Sequence, residues 1–129
     1  MEDSVRDLVV EYCTAAGERR YDRLAELVHP DAVFGGTVKG EAHGAEAFVQ
    51  GFRNLGPITV RHEVREVVAD GDRAYVMYDL VTNTAVGSVL CGELVHVRGG
   101  RVASSTLIFD WRRWPEVMQE LQQRASDVA

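Results

Sequence analysis

One carboxylate in an apolar segment is the strongest chemical signal in the sequence. Glu93 lies in the run Leu90-Cys-Gly-Glu-Leu-Val-His-Val97, and strand alternation would place it on the same face as Cys91 and Val95. An apolar pocket disfavours the ionised carboxylate and raises its pKa. Such a carboxyl can act as a general acid or base near neutral pH, so Glu93 is the principal catalytic candidate. The alternative is a structural carboxylate that pairs with other buried groups.

A histidine and an aspartate on two neighbouring strands could form a second acid–base pair. A two-residue turn within Asp70-Gly-Asp-Arg73 would place His62 diagonally to Asp79 on one face of the sheet. A carboxylate beside an imidazole fixes its tautomer, so the two side chains would act as base and orienting group. A three-residue turn would instead move Asp79 to the other face and bring Tyr78 to the His62 face.

Other classes of site lack their sequence patterns. The four histidines are scattered, and no His-x-x-x-His or Cys-x-x-Cys spacing indicates zinc. The glycine-rich loop lacks a phosphate-binding pattern, and the serines lack a nucleophile elbow. We therefore expect neither a metal nor a cofactor. Cys13 and Cys91 are expected to be buried free thiols, with one disulfide between them as the alternative.

The elements that would position these residues begin with three predicted helices. The first has Ser4 as N-cap, a continuous apolar stripe, and Gly17 as a stop signal. The second is short, with Asp22 as a possible cap, and ends before Pro30. The third runs over about 45–55 and carries apolar residues on one side.

The hydrophobic period changes to two after Ile58, which predicts strands. They cover about 58–68, 74–82, 88–98 and 101–110, with a short extended piece at 31–34. Trp114-Pro115 opens a terminal helix, because proline is tolerated in a first turn. Helices segregated from antiparallel strands indicate an α+β fold, with the helices laid across one face of a curved sheet.

Length and charge exclude several classes of protein. The 129 residues correspond to a single domain over 1–129, in which 124–129 are expected to form a frayed tail. Twenty acidic and 14 basic residues give a net charge of −6, which argues against a nucleic-acid binder. No apolar run approaches a membrane span of roughly 20 residues, and the charged N-terminus is unlike a signal peptide. We expect a cytoplasmic protein without nucleic-acid or membrane partners.

Four segments of the chain resemble the nuclear transport factor 2-like superfamily, and within it the SnoaL-like proteins. They are the opening helix with Tyr12, residues 21–34, the turn at 69–73, and residues 99–102 followed by 107–110. The superfamily includes polyketide cyclases, ketosteroid isomerases, limonene epoxide hydrolases, dehydratases and non-catalytic binders. The resemblance implies a cone-shaped, curved antiparallel sheet wrapped around three N-terminal helices, with a deep apolar pocket and a short C-terminal helix. It also implies a homodimer formed through the outer sheet face.

The resemblance assigns further residues to the pocket. Tyr12 falls near the helix-borne tyrosine that shares the oxyanion role in the ketosteroid isomerases, and Glu93 falls near their strand acid. Gly35 and Gly36 stand where those isomerases carry a proton-shuttling aspartate, which argues against steroid isomerase chemistry by that route. The pocket wall is expected to include Phe34, Phe52, Tyr78, Leu107 and Phe109.

Two pairings of the last strand remain open. A two-residue turn at Gly99-Gly100 pairs Glu93 with Thr106. The resemblance instead places Ser105, Leu107 and Phe109 inward beside Glu93. A β-bulge between the two strands would reconcile both.

Together these features predict a small cofactor-independent acid–base enzyme that encloses an apolar small molecule. The reaction would be a cyclisation, isomerisation, hydration or dehydration. Glu93 would be the principal acid or base, assisted by His62 and Asp79, and Tyr12 would hydrogen-bond the substrate. The alternative is a non-catalytic ligand-binding or dimeric interaction module of the same fold.

Overall fold

The computed structural model describes residues 2–36 and 40–128, which contain four helices and six strands. The helices are α1 (Glu2–Gly17), α2 (Tyr21–Leu27), α3 (Ala45–Asn54) and α4 (Trp114–Val128), with a 3-10 turn at Gly56–Ile58. The strands are β1 (Val28–Gly36), β2 (Ala42–His43), β3 (Thr59–Asp70), β4 (Arg73–Thr82), β5 (Ser88–Arg98) and β6 (Arg101–Phe109). This arrangement confirms the predicted α+β class.

The strands form one curved, unclosed sheet in the order β2-β1-β6-β5-β4-β3. β1 runs parallel to β6, and the other neighbouring pairs are antiparallel. Helix α1 packs across β3 and β4, and α3 packs against β1. The helices therefore cover one face of the sheet, as predicted. β1 extends beyond the predicted piece at 31–34, because its last residues pair with β6 from the far end of the chain.

A β-bulge in β3 changes which side chains share a face. Val68 lies opposite Tyr75, as the predicted two-residue turn requires. The register then shifts between Val64 and Glu66, so that Val64 lies opposite Tyr78 rather than Asp79. One extra residue in β3 shifts the pairing of the residues before it, so that His62 lies opposite Leu80. The predicted His62–Asp79 pairing is therefore wrong, although the predicted turn is right.

A bulge between β5 and β6 sets the register of the last strand. Arg98 pairs with Arg101 across the two-residue glycine turn, and the register shifts between His96 and Val97. Glu93 consequently lies opposite Leu107 rather than Thr106. This bulge turns Ser105, Leu107 and Phe109 towards the helices, as the family resemblance implies, and Ser105 is buried.

The core between helices and sheet is mostly apolar, and its described part contains one buried carboxyl group. Its large, fully buried apolar side chains include Val9, Tyr12, Leu24, Phe48 and Ile58. Each such side chain stabilises the fold by roughly 1.5–3 kcal/mol. Glu93 lies among them with only 1% of its surface exposed, on the inward face that strand alternation predicts. Cys13 and Cys91 are buried free thiols, which confirms that prediction.

The terminal helix begins at Trp114, as predicted, and continues through residues expected to fray. Arg124 lies within α4 and donates to the carbonyl oxygen of Asn83 at 3.0 Å and to the Asn83 side chain. These bonds tie α4 to the β4–β5 connection at Arg124, and the frayed tail stays a prediction. Ala129 lies outside the described residues. In the described part of the chain, no helix has the length and apolar character needed to cross a membrane.

Candidate active site

An apolar cavity lies between the inner face of the sheet and helices α3 and α4. Its volume is about 420 Å³, which is within the range of small-molecule sites. All five side chains predicted for the pocket wall line it: Phe34, Phe52, Tyr78, Leu107 and Phe109. Their role as ligand contacts stays a prediction. Trp114, Met118 and Leu121 contribute further apolar surface from α4.

Edge-to-face aromatic contacts fix the shape of the cavity wall. The rings of Phe34 and Phe52 lie 5.3 Å apart in a T-shaped arrangement, and Phe109 and Trp114 are 4.9 Å apart in the same geometry. Such pairs add roughly 0.5–1.5 kcal/mol beyond the burial of their surfaces. The wall is therefore formed by packed rings before any ligand enters.

Three hydroxyl groups surround the buried carboxyl of Glu93. Tyr12 donates to Oε1 at 2.5 Å, Ser105 donates to the same oxygen at 2.7 Å, and Tyr78 donates to Oε2. One helix and two strands thus bring hydroxyl groups to a single side chain on a third strand, β5. Burial raises the pKa of Glu93 above its ordinary value, while the three hydroxyl donors oppose that shift. The family resemblance placed Ser105 inward beside Glu93, and the structure adds that its hydroxyl bonds to the carboxyl.

The Glu93 cluster lies behind the cavity wall. Tyr78 lines the cavity, whereas Glu93 and Tyr12 do not. Tyr12 is fully buried and its hydroxyl hydrogen is donated to Glu93. This pairing argues against the predicted direct hydrogen bond from Tyr12 to a substrate, which stays a prediction. Glu93 reaches the cavity only through Tyr78, so the structure does not support direct proton transfer between Glu93 and a substrate.

His62 is the ionisable group of the described residues that presents a free nitrogen to the cavity. Its Nδ1 lies 2.9 Å from the carbonyl oxygen of Cys13. A carbonyl oxygen can only accept, so Nδ1 carries the hydrogen and the neutral ring leaves a lone pair on Nε2. Nε2 has no hydrogen-bond partner among the described residues. Every fully buried side-chain nitrogen or oxygen in that part of the chain is paired, so the unpaired Nε2 is not fully buried. His62 lines the cavity and its unpaired Nε2 is accessible, so we infer that this nitrogen opens onto the cavity.

Burial sets the protonation state of this imidazole. It lowers the pKa of His62 to about 4, and the bond to Cys13 opposes the shift only in part. The ring is also stacked against Tyr78, with centroids 4.5 Å apart and planes inclined by 35°. At neutral pH, His62 is therefore an uncharged hydrogen-bond acceptor and a free base.

Asp79 does not take part in this site. Its Oδ2 accepts from Nε of Arg65 at 2.8 Å in a surface ion pair on the outer side of the sheet. The orienting role predicted for Asp79 falls to the Cys13 carbonyl, which no side-chain pattern could reveal. Sequence reasoning also missed this contact because it joins α1 to β3.

Gly17 permits the close contact between α1 and His62. A Cβ atom at Gly17 would lie 2.3 Å from the backbone nitrogen of His62 and 2.7 Å from its Cβ and Cγ. No heavy-atom contact of that length is tolerated, so this position accepts only glycine without movement of helix or strand. The sequence identified Gly17 as a helix stop, and its packing role needed the tertiary structure.

The described residues offer no evident metal site or activated thiol. No three His, Cys, Asp or Glu side chains converge within residues 2–36 and 40–128 as a metal centre requires. Burial raises the pKa of both Cys13 and Cys91 above the ordinary range, which keeps them as unreactive thiols. The chemistry of the site therefore depends on His62 and its neighbours.

Solved structures with the same architecture are numerous but distant in sequence. A nuclear transport factor 2-like protein of unknown function from Cytophaga hutchinsonii is 21% identical, with a TM-score of 0.73 over 87% of this chain and 95% of that one. A protein named a candidate polyketide cyclase from Sinorhizobium meliloti is 23% identical, with a TM-score of 0.69 over 79% of this chain and 94% of that one. A candidate ketosteroid isomerase from Kribbella flavida is 18% identical, with a TM-score of 0.76 over 84% and 79%. These likenesses establish the fold.

The sequence itself matches one family. A comparison with curated proteins finds no match. The SnoaL-like domain matches residues 9–105, which include the second half of α1, the Glu93 cluster and His62. The chain therefore belongs to the SnoaL-like domain family.

Proposed function

We propose that the protein binds an apolar small molecule in the cavity and catalyses cofactor-independent acid–base chemistry on it, with His62 as the base. One observation supports this most strongly: His62 lines an apolar cavity with Nε2 unpaired, and the Cys13 carbonyl fixes the tautomer that leaves the lone pair on Nε2. A base within reach of a bound molecule is the first requirement for proton transfer.

In the proposed reaction, Nε2 accepts a proton from the substrate. The charged ring then keeps its Nδ1 hydrogen bond to Cys13, which becomes stronger once the donor is charged. Because burial holds the pKa of His62 near 4, the imidazolium gives its proton back readily. This behaviour suits a shuttle that returns the proton within one turnover. Tyr78, held by Glu93, acts as a positioning residue because its ring supports the imidazole.

The family supports this class of reaction without fixing the substrate. The candidate cyclase and isomerase among the similar structures carry names that belong to cofactor-free acid–base chemistry. In this chain, Gly35 and Gly36 both line the cavity and cannot supply a base. The basic group on this wall is His62, on a different strand.

A non-catalytic ligand-binding module is the second candidate. It is favoured by the closed Glu93 cluster, in which the carboxyl and three hydroxyl groups bond to one another rather than to the cavity. With these groups paired, a single ionisable side chain of the described wall is left to perform chemistry. The two candidates differ in whether His62 moves a proton or only holds a ligand.

The ring opening of 5-nitrobenzisoxazole separates the two candidates. A base removes the carbon-bound proton of this neutral, apolar molecule, the N–O bond breaks, and a coloured nitrophenolate with a nitrile group forms. We expect the protein to accelerate this reaction and His62→Gln to abolish the acceleration. His96→Gln, at an exposed outward position of β5, is the matched control. Binding of the probe without His62-dependent turnover would favour the non-catalytic module.

We also propose that two copies pair through the outer sheet face. Val68, Tyr75, Leu90, Leu94 and Ile108 leave an exposed apolar surface there. The ring of Tyr75 lies across Gly92, since a Cβ atom at Gly92 would clash with the Tyr75 hydroxyl at 2.1 Å. Glycine thus lets the tyrosine lie flat, which gives a smooth face suited to a second sheet.

A further inference from the structure

The polar side chains on the sheet side of the cavity have all donated their hydrogens to the protein. Thr59 donates its hydroxyl to the carbonyl of Leu55 at 2.8 Å. His62 donates to Cys13, and Tyr78 donates to Glu93. The fourth side chain, Cys91, directs its thiol to the carbonyl of Val89 at 3.6 Å. We call Thr59, His62, Tyr78 and Cys91 the cavity floor, since all four line the cavity from β3, β4 and β5.

This pattern gives the floor a definite polarity. With its four hydrogens pointing away from the cavity, the floor offers lone pairs and no side-chain donor to a ligand. The best acceptor is Nε2 of His62, which is uncharged and unpartnered among the described residues. The described side chains that line the cavity include no arginine and no lysine, so no fixed positive charge compensates a ligand carboxylate. The side-chain N–H groups of the wall belong to Gln50, Asn54 and Trp114, on helices α3 and α4 and not on the floor.

We propose that the cavity selects neutral apolar molecules that carry a hydroxyl or N–H donor, and that this donor binds Nε2 of His62. The proposal rests on the proposed function, since it names the class of molecule that the same cavity takes. A ketone of the same shape would bring its carbonyl oxygen against the floor. The ketone oxygen and the floor acceptors would both lose hydrogen bonds to water, and neither could donate a hydrogen bond to the other. A molecule with a hydroxyl group replaces the hydrogen bond that it donates to water by one that it donates to Nε2 of His62.

The same polarity bears on the reaction. An enolate needs hydrogen-bond donors at its oxygen, and the floor supplies none. When the reaction begins at a substrate hydroxyl, Nε2 accepts the O–H proton while the same oxygen forms a bond to an electrophilic carbon of the substrate. The electron pair displaced from that carbon moves to a neighbouring atom, which takes the proton back from Nε2, so no free oxyanion forms at the floor. The inference therefore favours chemistry that begins at a hydroxyl group over chemistry that begins by enolising a ketone.

Three molecules of one shape test this selection: tetralin, 1-tetralol and 1-tetralone. They share a two-ring hydrocarbon frame and differ in having no polar group, a hydroxyl, or a carbonyl oxygen. Isothermal calorimetry of the whole protein at pH 7 gives their dissociation constants. We expect 1-tetralol to bind about tenfold more tightly than 1-tetralone, the value of one well-made hydrogen bond. Equal affinities, or tighter binding of the ketone, would overturn the proposal.

A variant assigns the preference to its residue. His62→Phe keeps a ring of similar size and removes the acceptor, so the ratio of ketone to alcohol dissociation constants should fall to within about twofold of unity. Tetralin should bind this variant at least as well as it binds the unmodified protein. His96→Phe, on the outer face, should leave the tenfold ratio unchanged. A preference that survives His62→Phe would contradict the assignment to Nε2.

Tetralin separates this inference from the proposed function. If tetralin fails to bind, the cavity is not a small-molecule site and both proposals fail. If tetralin and the ketone bind and the alcohol is not preferred, only the inference about ligand class fails. The comparison in the unmodified protein remains decisive even if His62→Phe does not fold.

Discussion

His62 donates its Nδ1 hydrogen to the carbonyl oxygen of Cys13, 2.9 Å away. This bond joins the sheet to α1 and decides which nitrogen faces the cavity. A carbonyl holds the tautomer without titrating, whereas an aspartate in the same place would raise the pKa of the imidazole. The site therefore keeps His62 uncharged at neutral pH, and the apolar cavity receives an acceptor without a net charge.

Gly17→Ala should disturb this relationship directly. The added Cβ would lie 2.3 Å from the His62 nitrogen, so α1 and β3 must separate. We expect a loss of about 1–3 kcal/mol in the free energy of unfolding, measured with urea, as for other overpacked sites. Gly51→Ala is the control, because Gly51 lies in helix α3 and a Cβ atom there would meet no atom within 4 Å. That variant should be slightly more stable, and equal effects of the two would contradict the packing role.

His62 should make the fold sensitive to mild acid. Its pKa is lowered from 6.5 to about 4 on folding, so the unfolded chain binds the proton first as the pH falls. The His62 contribution to stability is complete above pH 6.5 and is lost between 6.5 and about 4, on the order of 3 kcal/mol. Urea unfolding of the unmodified protein and of His62→Phe across this range measures the difference. A pH dependence that is the same in both would contradict the burial of a neutral imidazole.

Glu93→Ala should be far more damaging than Glu93→Gln. Alanine leaves the hydroxyls of Tyr12, Tyr78 and Ser105 without their acceptor in a buried site. The expected loss is roughly 3–5 kcal/mol in the free energy of unfolding, whereas the amide of glutamine preserves most of the bonds. Thermal unfolding distinguishes the two variants. If Glu93→Ala cost less than about 1 kcal/mol, the cluster would not be the structural centre described above.

Leu94→Glu should separate the proposed dimer. Leu94 is exposed on the outer sheet face, and a carboxylate there would be buried without a partner if two sheets met. Light scattering at several concentrations should give a dimer for the unmodified protein and a monomer for the variant. Gln122→Glu, on the exposed side of α4, should remain dimeric. A monomer at the highest concentration of the unmodified protein would contradict the proposal.

Local pattern sufficed for the elements and for both hairpin turns. Strand alternation placed Glu93 on the inward face, and the glycine-containing turns gave the first pairs of each hairpin. These features follow from backbone geometry within a few residues. Family resemblance added the side chains of the cavity wall, which lie on distant elements.

The bulge in β3 could not be predicted, and it decided the partner of His62. Its trace in the sequence is the pair of polar residues Arg65-Glu66 between Val64 and Val67, and the apolar Val68, exposed on the outer face, conceals that trace. As a result, Asp79 lies outside with Arg65, and Tyr78 shares the inner face with His62. The contacts of Cys13 and Gly17 with His62 likewise exist only once helix and strand have packed.

The state of the His62 ring is the most direct test of the central claim. A two-dimensional NMR spectrum that correlates the ring nitrogens with the carbon-bound ring protons identifies which nitrogen carries hydrogen. At pH 7 we predict a neutral ring with hydrogen on Nδ1 and a bare Nε2, whose resonance shifts when 1-tetralol binds. A hydrogen on Nε2, or a ring that is charged at pH 7, would contradict this account of the site.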